Sequence, residues 1–399
     1  MSCSELEDMN YSELEDQFGL DVYPKRGIVI TKGRGALLYD TNGKEYIDCI
    51  GGIGSANIGH ANPALTDAIQ KQANRLISCV CILYNDQRAL LMKKLSEITP
   101  GGPSRSFLCS SGTEAVEAAL KFARVSTGRT EIVAAMQGFH GRTFGALSVS
   151  WKPKYREPFK PLVPGIRHVP FNNAEALKDT VSENTAAVIL EIIQGEGGIR
   201  PADKDYFRQV RKLCSDKGAL LIIDEVQTGF GRTGKMFACE HFDLEPDMLC
   251  LAKSLAGGVP AGAVVCNNKI RIDKTLHGTT FGGNPLSCAA ALASIDYIES
   301  NNLAEKAGEL GKYALSELKK IRSDSIREVR GLGLMIGIEL REKPGPCLQR
   351  LMEEGILALP AGNTVLRLLP PLVITRQQID KVISKIRLVL SDHDRHSEN

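Results

Sequence analysis

Two reactive groups close apolar segments in this chain. The amine of Lys253 sits in Leu249-Cys250-Leu251-Ala252-Lys253-Ser254-Leu255-Ala256-Gly257-Gly258, where an apolar run gives way to small residues. Upstream, the apolar run Ala219-Leu220-Leu221-Ile222-Ile223 ends on the carboxylate of Asp224, followed by Glu225-Val226-Gln227. A lysine amine can form a Schiff base with an aldehyde, and an acid can keep a pyridine nitrogen protonated so that the ring accepts electrons. Pyridoxal 5′-phosphate requires that pair.

Other stretches offer accessory groups. Ser110-Ser111-Gly112-Thr113-Glu114 follows an apolar run and opens an alanine-rich helical pattern. Free N–H groups and hydroxyls at a helix start suit a phosphate, although the same residues also spell an ordinary capping box. The stretch is neither a P-loop nor a GxGxxG fingerprint, which argues against a nucleoside triphosphate. Gly138-Phe139-His140-Gly141-Arg142-Thr143 offers an aromatic to cover a ring and an arginine for a carboxylate. Thr279-Thr280-Phe281-Gly282-Gly283 is a second hydroxyl-glycine turn. Singly, each is equally a structural loop.

Holding these groups together demands a scaffold. From about 106 to 265, apolar runs alternate with amphipathic helices: Ser106–Cys109, Glu131–Ala135, Ile166–Val169, Ala186–Leu190, Ala219–Ile223, Met248–Leu251 and Gly262–Val265. Uninterrupted apolar strands between helices predict an α/β architecture, a mostly parallel seven-stranded sheet buried on both faces. A hairpin is predicted over 35–48 and a helix over 63–76. After Asn284-Pro285 the pattern becomes α+β, with helices over 286–299, 303–321 and 345–354, a last helix from Gln377, and strands over 326–330, 335–340 and 365–369. The predicted organisation is an N-terminal segment, 1–57, completing a smaller domain, 285–399, around a large domain, 58–284, without a flexible linker.

Composition narrows the function classes. The 399 residues are 43% hydrophobic and 24% charged, and 49 basic against 47 acidic residues leave a net charge of +2. No global pull toward nucleic acid or membrane follows. The acidic start Met1–Asp8 is unlike a signal or transit peptide, and no apolar run approaches the roughly 20 residues of a membrane span, so a cytoplasmic location is expected. The 11 cysteines are dispersed without metal-ligand spacing, so they read as reduced thiols, Cys109, Cys250 and Cys266 in cores. No metal is expected. Cys79 and Cys81 read as same-face neighbours on a strand.

The ordered set SSGTEAVEAALK, GFHGRT, EIIQGEGG, IIDEVQTGFGRTG, LAKSLAGGVPAG, HGTTFGGNPL and LRLLPPL resembles the class III pyridoxal-phosphate aminotransferases from about residue 25 to about 390. Within them it is similar to acetylornithine aminotransferases. LSVSWKPKYREPFKPLVP, KEYIDCIGGIG, REVRGLGLMIGIEL and LPAGNTVLRLLPPLVIT look closer to the lysine-biosynthesis branch, which aminates a semialdehyde attached to an acidic amino-group carrier protein.

The resemblance implies the type I fold, a homodimer or larger assembly, and a role for each group. Lys253 carries the cofactor and shuttles protons. Asp224 pairs with the pyridine nitrogen, Gln227 lies near the phenolic oxygen and Phe139 stacks on the ring. Ser111, Gly112 and Thr113 hold the phosphate, with Thr280 reaching it from the neighbouring subunit. Arg142 and Thr279 contact the amino-acid substrate, while Arg367 receives the α-carboxylate of glutamate or 2-oxoglutarate. Glu196 neutralises Arg367 and swings away for glutamate; from its residues alone it could equally cap the turn Gly195–Gly198.

Two departures stand out. Ile192 replaces the family's proline, which frees φ, restores a donor and would loosen the turn. Ile53 stands where ornithine aminotransferases carry a tyrosine, which favours a substrate with a blocked α-amine. The expected activity is a ping-pong amino transfer from glutamate to the ω-semialdehyde of an acetylated or carrier-linked substrate in lysine or arginine biosynthesis. Competing readings are a 4-aminobutyrate or ornithine aminotransferase, a 2,1-aminomutase, and a non-enzymatic binding protein on the same scaffold. The basic stretch Trp151–Arg156 is a candidate dock for the carrier, or a solvated loop.

Overall fold

The computed structural model describes residues 10–102 and 104–397, and the acidic start Met1–Asp8 lies outside them. The N-terminal strands β1 (Ile30–Arg34), β2 (Leu37–Asp40) and β3 (Glu45–Asp48) form an antiparallel meander. Its tight turn is the one expected: the Asp40 carboxylate accepts from Asn42 N and Lys44 N, both at 2.9 Å, and Gly43 adopts φ 77°.

The central sheet contains β4 (Arg105–Cys109), β5 (Glu131–Ala135), β6 (Ile166–Val169) and β7 (Thr185–Glu191). A short ribbon, β8 (Ile193–Gln194) with β9 (Arg200–Pro201), intervenes before β10 (Leu220–Asp224), β11 (Met248–Leu251) and β12 (Gly262–Cys266). The order is β4-β12-β11-β10-β7-β5-β6, and only β12 runs against its neighbours. Every residue of β7, β10, β11 and β12 is buried, which is why these strands read as continuous apolar runs. Parallel strands send their carboxyl ends to one edge, so the loops after β5, β7, β10 and β11 gather there.

Beyond this sheet, β13 (Ile326–Leu332), β14 (Met335–Leu340), β16 (Leu359–Ala361) and β17 (Val365–Leu368) form an antiparallel sheet. The two-residue β15 (Ile356–Leu357) pairs parallel with β3, joining the C-terminal part to the N-terminal meander. The small-residue helix Pro285–Ser300 starts on an Asn284 cap with proline in its first turn, and packs on helices Pro63–Ala73 and Asp86–Ile98.

A fully buried guanidinium stitches these parts together. Arg232 donates to the carbonyls of Leu334 (3.1 Å) and Pro370 (2.5 Å) and to the Asn57 side chain. Burial lowers its pKa to about 9, against the opposing pull of Asp48 and Cys49. Removing one partner of such a buried charge typically costs about 3–5 kcal/mol.

Two expectations need correction. Cys79 and Cys81 lie in irregular backbone instead of a strand, because no strand pairs with them and Arg88 takes the Cys79 and Leu83 carbonyls. Helix Asp86–Ile98, capped by Asn85, has no counterpart among the predicted elements. The described cysteines form no disulfide, and Cys109, Cys250 and Cys266 are buried. Among the described residues no helix is long and apolar enough to cross a membrane.

Candidate active site

Asp224 ends β10 and Lys253 follows the adjacent β11, so the acid and the amine arise at the same sheet edge. The Asp224 carboxylate is fixed twice: Oδ1 accepts from Val226 N at 2.9 Å, and Oδ2 lies 2.7 Å from His140 Nδ1. Burial alone would lower the pKa of His140, but the hydrogen bond and charge of Asp224 outweigh it and the net shift is upward. His140 and Val226 N thus fix the Asp224 carboxylate in place at the end of β10.

Lys253 has a left-handed backbone, φ 46°, which a side chain rarely adopts and which marks a position held by its surroundings. Its side chain keeps a small opening to the cavity but is deep enough for burial to lower its pKa; Arg367 adds to that, while Glu196, Asp224 and Glu191 oppose it. A larger share of free amine at neutral pH follows, the form that attacks an aldehyde.

Helix Gly112–Thr127 begins at the same edge. The capping-box reading holds: Ser111 Oγ accepts from Glu114 N, and the Glu114 carboxylate accepts from Ser110 N (2.8 Å) and Ser111 Oγ (2.9 Å). Those groups being engaged, Gly112 N and Thr113 N are the helix-start donors left to an anion. Gly112 is required by packing, since a Cβ there would come within 2.8 Å of Val226 Cγ1. A Cβ on Gly141 would lie 2.3 Å from Thr113 Oγ1, so that loop also passes the helix start only as glycine.

Over the cavity, the Arg142 guanidinium lies 3.6 Å from the Tyr155 ring centroid and 5.5 Å from that of Phe139. On the opposite side Arg367 Nη1 meets Glu196 Oε1 at 2.5 Å and Gln227 Oε1 at 3.5 Å. Arg367 is 3% exposed and Glu196 33%, so the carboxylate is the partner with room to leave. The turn after Ile192 is held, not loose: Ile192 is fully buried, its carbonyl accepts from Ala202 N, and Gly195 N donates to Glu191.

A cavity of about 410 Å³ is lined by Ser111, Gly112, Thr113, Phe139, Arg142, Glu196, Asp224, Gln227 and Lys253. Arg367 reaches it through Glu196 and Gln227. Thr279 and Thr280 do not line it: both lie in the loop before Asn284, where Thr280 is exposed and Thr279 Oγ1 accepts from Gly282 N. The sequence reading missed His140 and Glu191, both of which line the cavity. His140 sits inside the GFHGRT stretch, but its pairing with Asp224 crosses from one strand end to another and leaves no local spacing. The donors at the helix start, the fixed Asp224 and the partly deprotonated lysine fit pyridoxal 5′-phosphate at its phosphate, ring nitrogen and aldehyde.

The family model for aminotransferase class-III matches residues 22–390. Over 397 residues the chain is 47% identical to a LysW-aminoadipate semialdehyde transaminase of Deinococcus radiodurans, covering 98% of this chain and 92% of that protein. It is 48% identical over 372 residues to an acetylornithine aminotransferase of Methanosarcina acetivorans, covering 93% and 94%. Among solved structures, an ornithine aminotransferase from Toxoplasma gondii superposes with a TM-score of 0.93 at 32% identity, covering 97% of this chain and 95% of that one.

Proposed function

This chain belongs to the aminotransferase class-III family, and from that premise we propose which residue performs each task and which substrate it serves. It is a pyridoxal-phosphate-dependent transferase with the type I fold of that enzyme class. When bound, pyridoxal 5′-phosphate supplies an aldehyde that takes up an amino group and a ring that delocalises the electron pair left by a departing proton.

The residues divide the work as follows. Gly112 and Thr113 N–H, with Ser111, hold the phosphate, and Phe139 covers the ring. Asp224, oriented by His140, holds a proton on the pyridine nitrogen, and Gln227 lies toward the phenolic oxygen. Lys253 holds the group and, once displaced by substrate, takes a proton at Nζ and returns it to the neighbouring carbon. Arg142 faces the substrate, whereas Thr279 lies outside this chain's cavity. The N-terminal segment 1–57, which carries the meander β1–β3, and residues 285–399 make up the smaller domain beside the large domain 58–284, a division supported by the pairing of β15 with β3.

Arg367 and Glu196 carry the proposed specificity. One site must accept a dicarboxylate in one half-reaction and the uncharged aldehyde end of an ω-semialdehyde in the other. Arg367 binds the α-carboxylate of glutamate when Glu196 swings out, and is neutralised when Glu196 returns, because an unpaired buried guanidinium would penalise the second substrate. That pair is the observation that carries the reading.

The proposed second substrate is an Nα-blocked semialdehyde of lysine or arginine biosynthesis, for which Ile53 in place of a tyrosine leaves room. A groove of about 710 Å³ shares Phe139 and Glu196 with the cavity and is bordered by Lys152, Lys154, Arg200 and Arg327. Its Glu339 pairs with Arg330 at 2.5 Å and also reaches Arg200 (3.4 Å) and Arg327 (3.9 Å), which leaves Lys152 and Lys154, among the described residues, as the groove's unpaired positive charge, suited to an acidic carrier protein. Loading the enzyme with an amino group from glutamate, then offering carrier-linked and N-acetylated semialdehydes while following the cofactor absorbance, tests this. Lys152→Glu with Lys154→Glu is expected to lower kcat/KM for the carrier-linked substrate at least tenfold and to spare the acetylated one. Equal rates for both substrates at low and high salt would remove the docking role.

A second copy is proposed to complete the site. Ile82, 87% exposed, and Phe281, 65% exposed, lie on segments joined by the Arg88 bond to the Gly283 carbonyl (2.9 Å), beside Thr280. An isologous partner over this apolar face would place its Thr280 at the phosphate.

A further inference from the structure

We infer that Glu191 is a positioning residue that ties the loop covering the cavity to the turn bearing the Arg367 partner. Glu191 is the last residue of β7 and is 7% exposed. Its two oxygens are divided between two loops: Oε1 accepts from Phe139 N at 3.0 Å and Oε2 accepts from Gly195 N at 3.0 Å. Phe139 covers the cavity, and Gly195 immediately precedes Glu196.

The chemistry requires a carboxylate for this. An amide offers one acceptor oxygen and turns an NH₂ toward the other N–H, whereas an ionised carboxylate accepts on both prongs. Burial raises its pKa to about 7, opposed by His140 and reinforced by Asp224, so the two-pronged carboxylate predominates only above neutral pH. A group needed only to satisfy two backbone donors would be replaced at lower electrostatic cost by water or by two separate acceptors. Spanning both loops with one rigid group instead makes the position of the Phe139 ring depend on the position of the Glu196 turn. The swing of Glu196 away from Arg367 then reaches the ring cover through a single side chain.

This inference rests on Glu196 acting as a movable partner of Arg367, and the test separates the two ideas. Amide hydrogen exchange is followed for residues 137–141 and 194–198 in Glu191→Gln and in Glu196→Gln, together with the glutamate half-reaction. Glu191→Gln is expected to raise exchange at least tenfold in both segments and to change both KM for glutamate and the rate at saturation. Glu196→Gln is expected to change KM for glutamate and, through Glu191, to change exchange at Phe139 as well, by less than Glu191→Gln does. Unchanged or one-sided exchange in Glu191→Gln would overturn the coupling whatever Glu196 does; unchanged glutamate kinetics in Glu196→Gln would sink the movable-partner reading alone. If Glu191→Gln does not fold, Glu191→Asp is measured in its place. That variant keeps the charge but loses the reach to one loop, and faster exchange in both segments remains the expected result.

Discussion

Arg367 and Glu196 are in direct contact at the cavity's edge as an unequal pair, a deeply buried guanidinium against a carboxylate that is one-third exposed. Removing the carboxylate leaves the arginine permanently available to a dicarboxylate. Glu196→Gln is expected to lower KM for glutamate several-fold and to slow the semialdehyde half-reaction roughly tenfold or more, since the unpaired guanidinium is then left beside an uncharged aldehyde end. Arg367→Ala should cost the glutamate half-reaction about 30-fold or more, the usual range for losing one side of a buried charge pair. Single-turnover rates for the separate half-reactions decide both.

Replacing Lys253 by alanine removes both the anchor and the proton carrier. Turnover should fall by at least about 10⁴-fold, the upper range for loss of a positioned acid–base group. Borohydride reduction of the native holoenzyme followed by peptide mapping should place the label at Lys253. A label elsewhere, or transamination retained in Lys253→Ala, would end the assignment.

Thr280 is expected to serve the partner's site, which mixed dimers can reveal. Lys253→Ala and Thr280→Val are each impaired alone. If Thr280 works in trans, one site of each mixed dimer combines an intact lysine with an intact threonine. Random mixing should then restore about a quarter of native activity. No recovery on mixing would place the threonine in its own subunit's site or outside catalysis.

Stability should fall as pH rises through the range that Glu191 titrates. Burial, reinforced by Asp224 and opposed by His140, raises its pKa from 4.5 to about 7. Between those values the folded chain keeps a proton that the unfolded chain has released, so raising the pH favours unfolding and the effect levels off above the folded value. Glu191→Gln should flatten the melting temperature against pH across this window by roughly a few °C. Lys253 acts with the opposite sign, because its lowered pKa makes the folded chain release the proton first. Its contribution rises with pH up to the free-lysine value.

The buried strands were legible because a parallel sheet covered on both faces writes itself as apolar runs. Val188, Ile222 and Leu249 could hardly lie anywhere else. Their lateral order was not legible: nothing in Gly262–Cys266 says that this strand runs against its neighbours between β4 and β11. Helix Asp86–Ile98 escaped because its buried stripe is thin, Arg88, Leu91 and Leu95 alone. In the site, Lys253 and Asp224 announced themselves by closing apolar runs. Glu191 closes the run Ala186–Leu190 in the same way but went unused, because its partners are backbone N–H groups of two loops. His140 gave no sign, because Asp224 lies on another strand and contact across a sheet edge has no sequence period.

The Arg232 clamp bears on how this enzyme can be shortened. Its guanidinium draws acceptors from Asn57, Leu334 and Pro370, three stretches of chain far apart in sequence. Deleting the leading segment through Asn57 would thus maroon a cation in the interior and unseat the very stretch that delivers Arg367. Truncation from that side should abolish folding rather than yield a leaner catalyst.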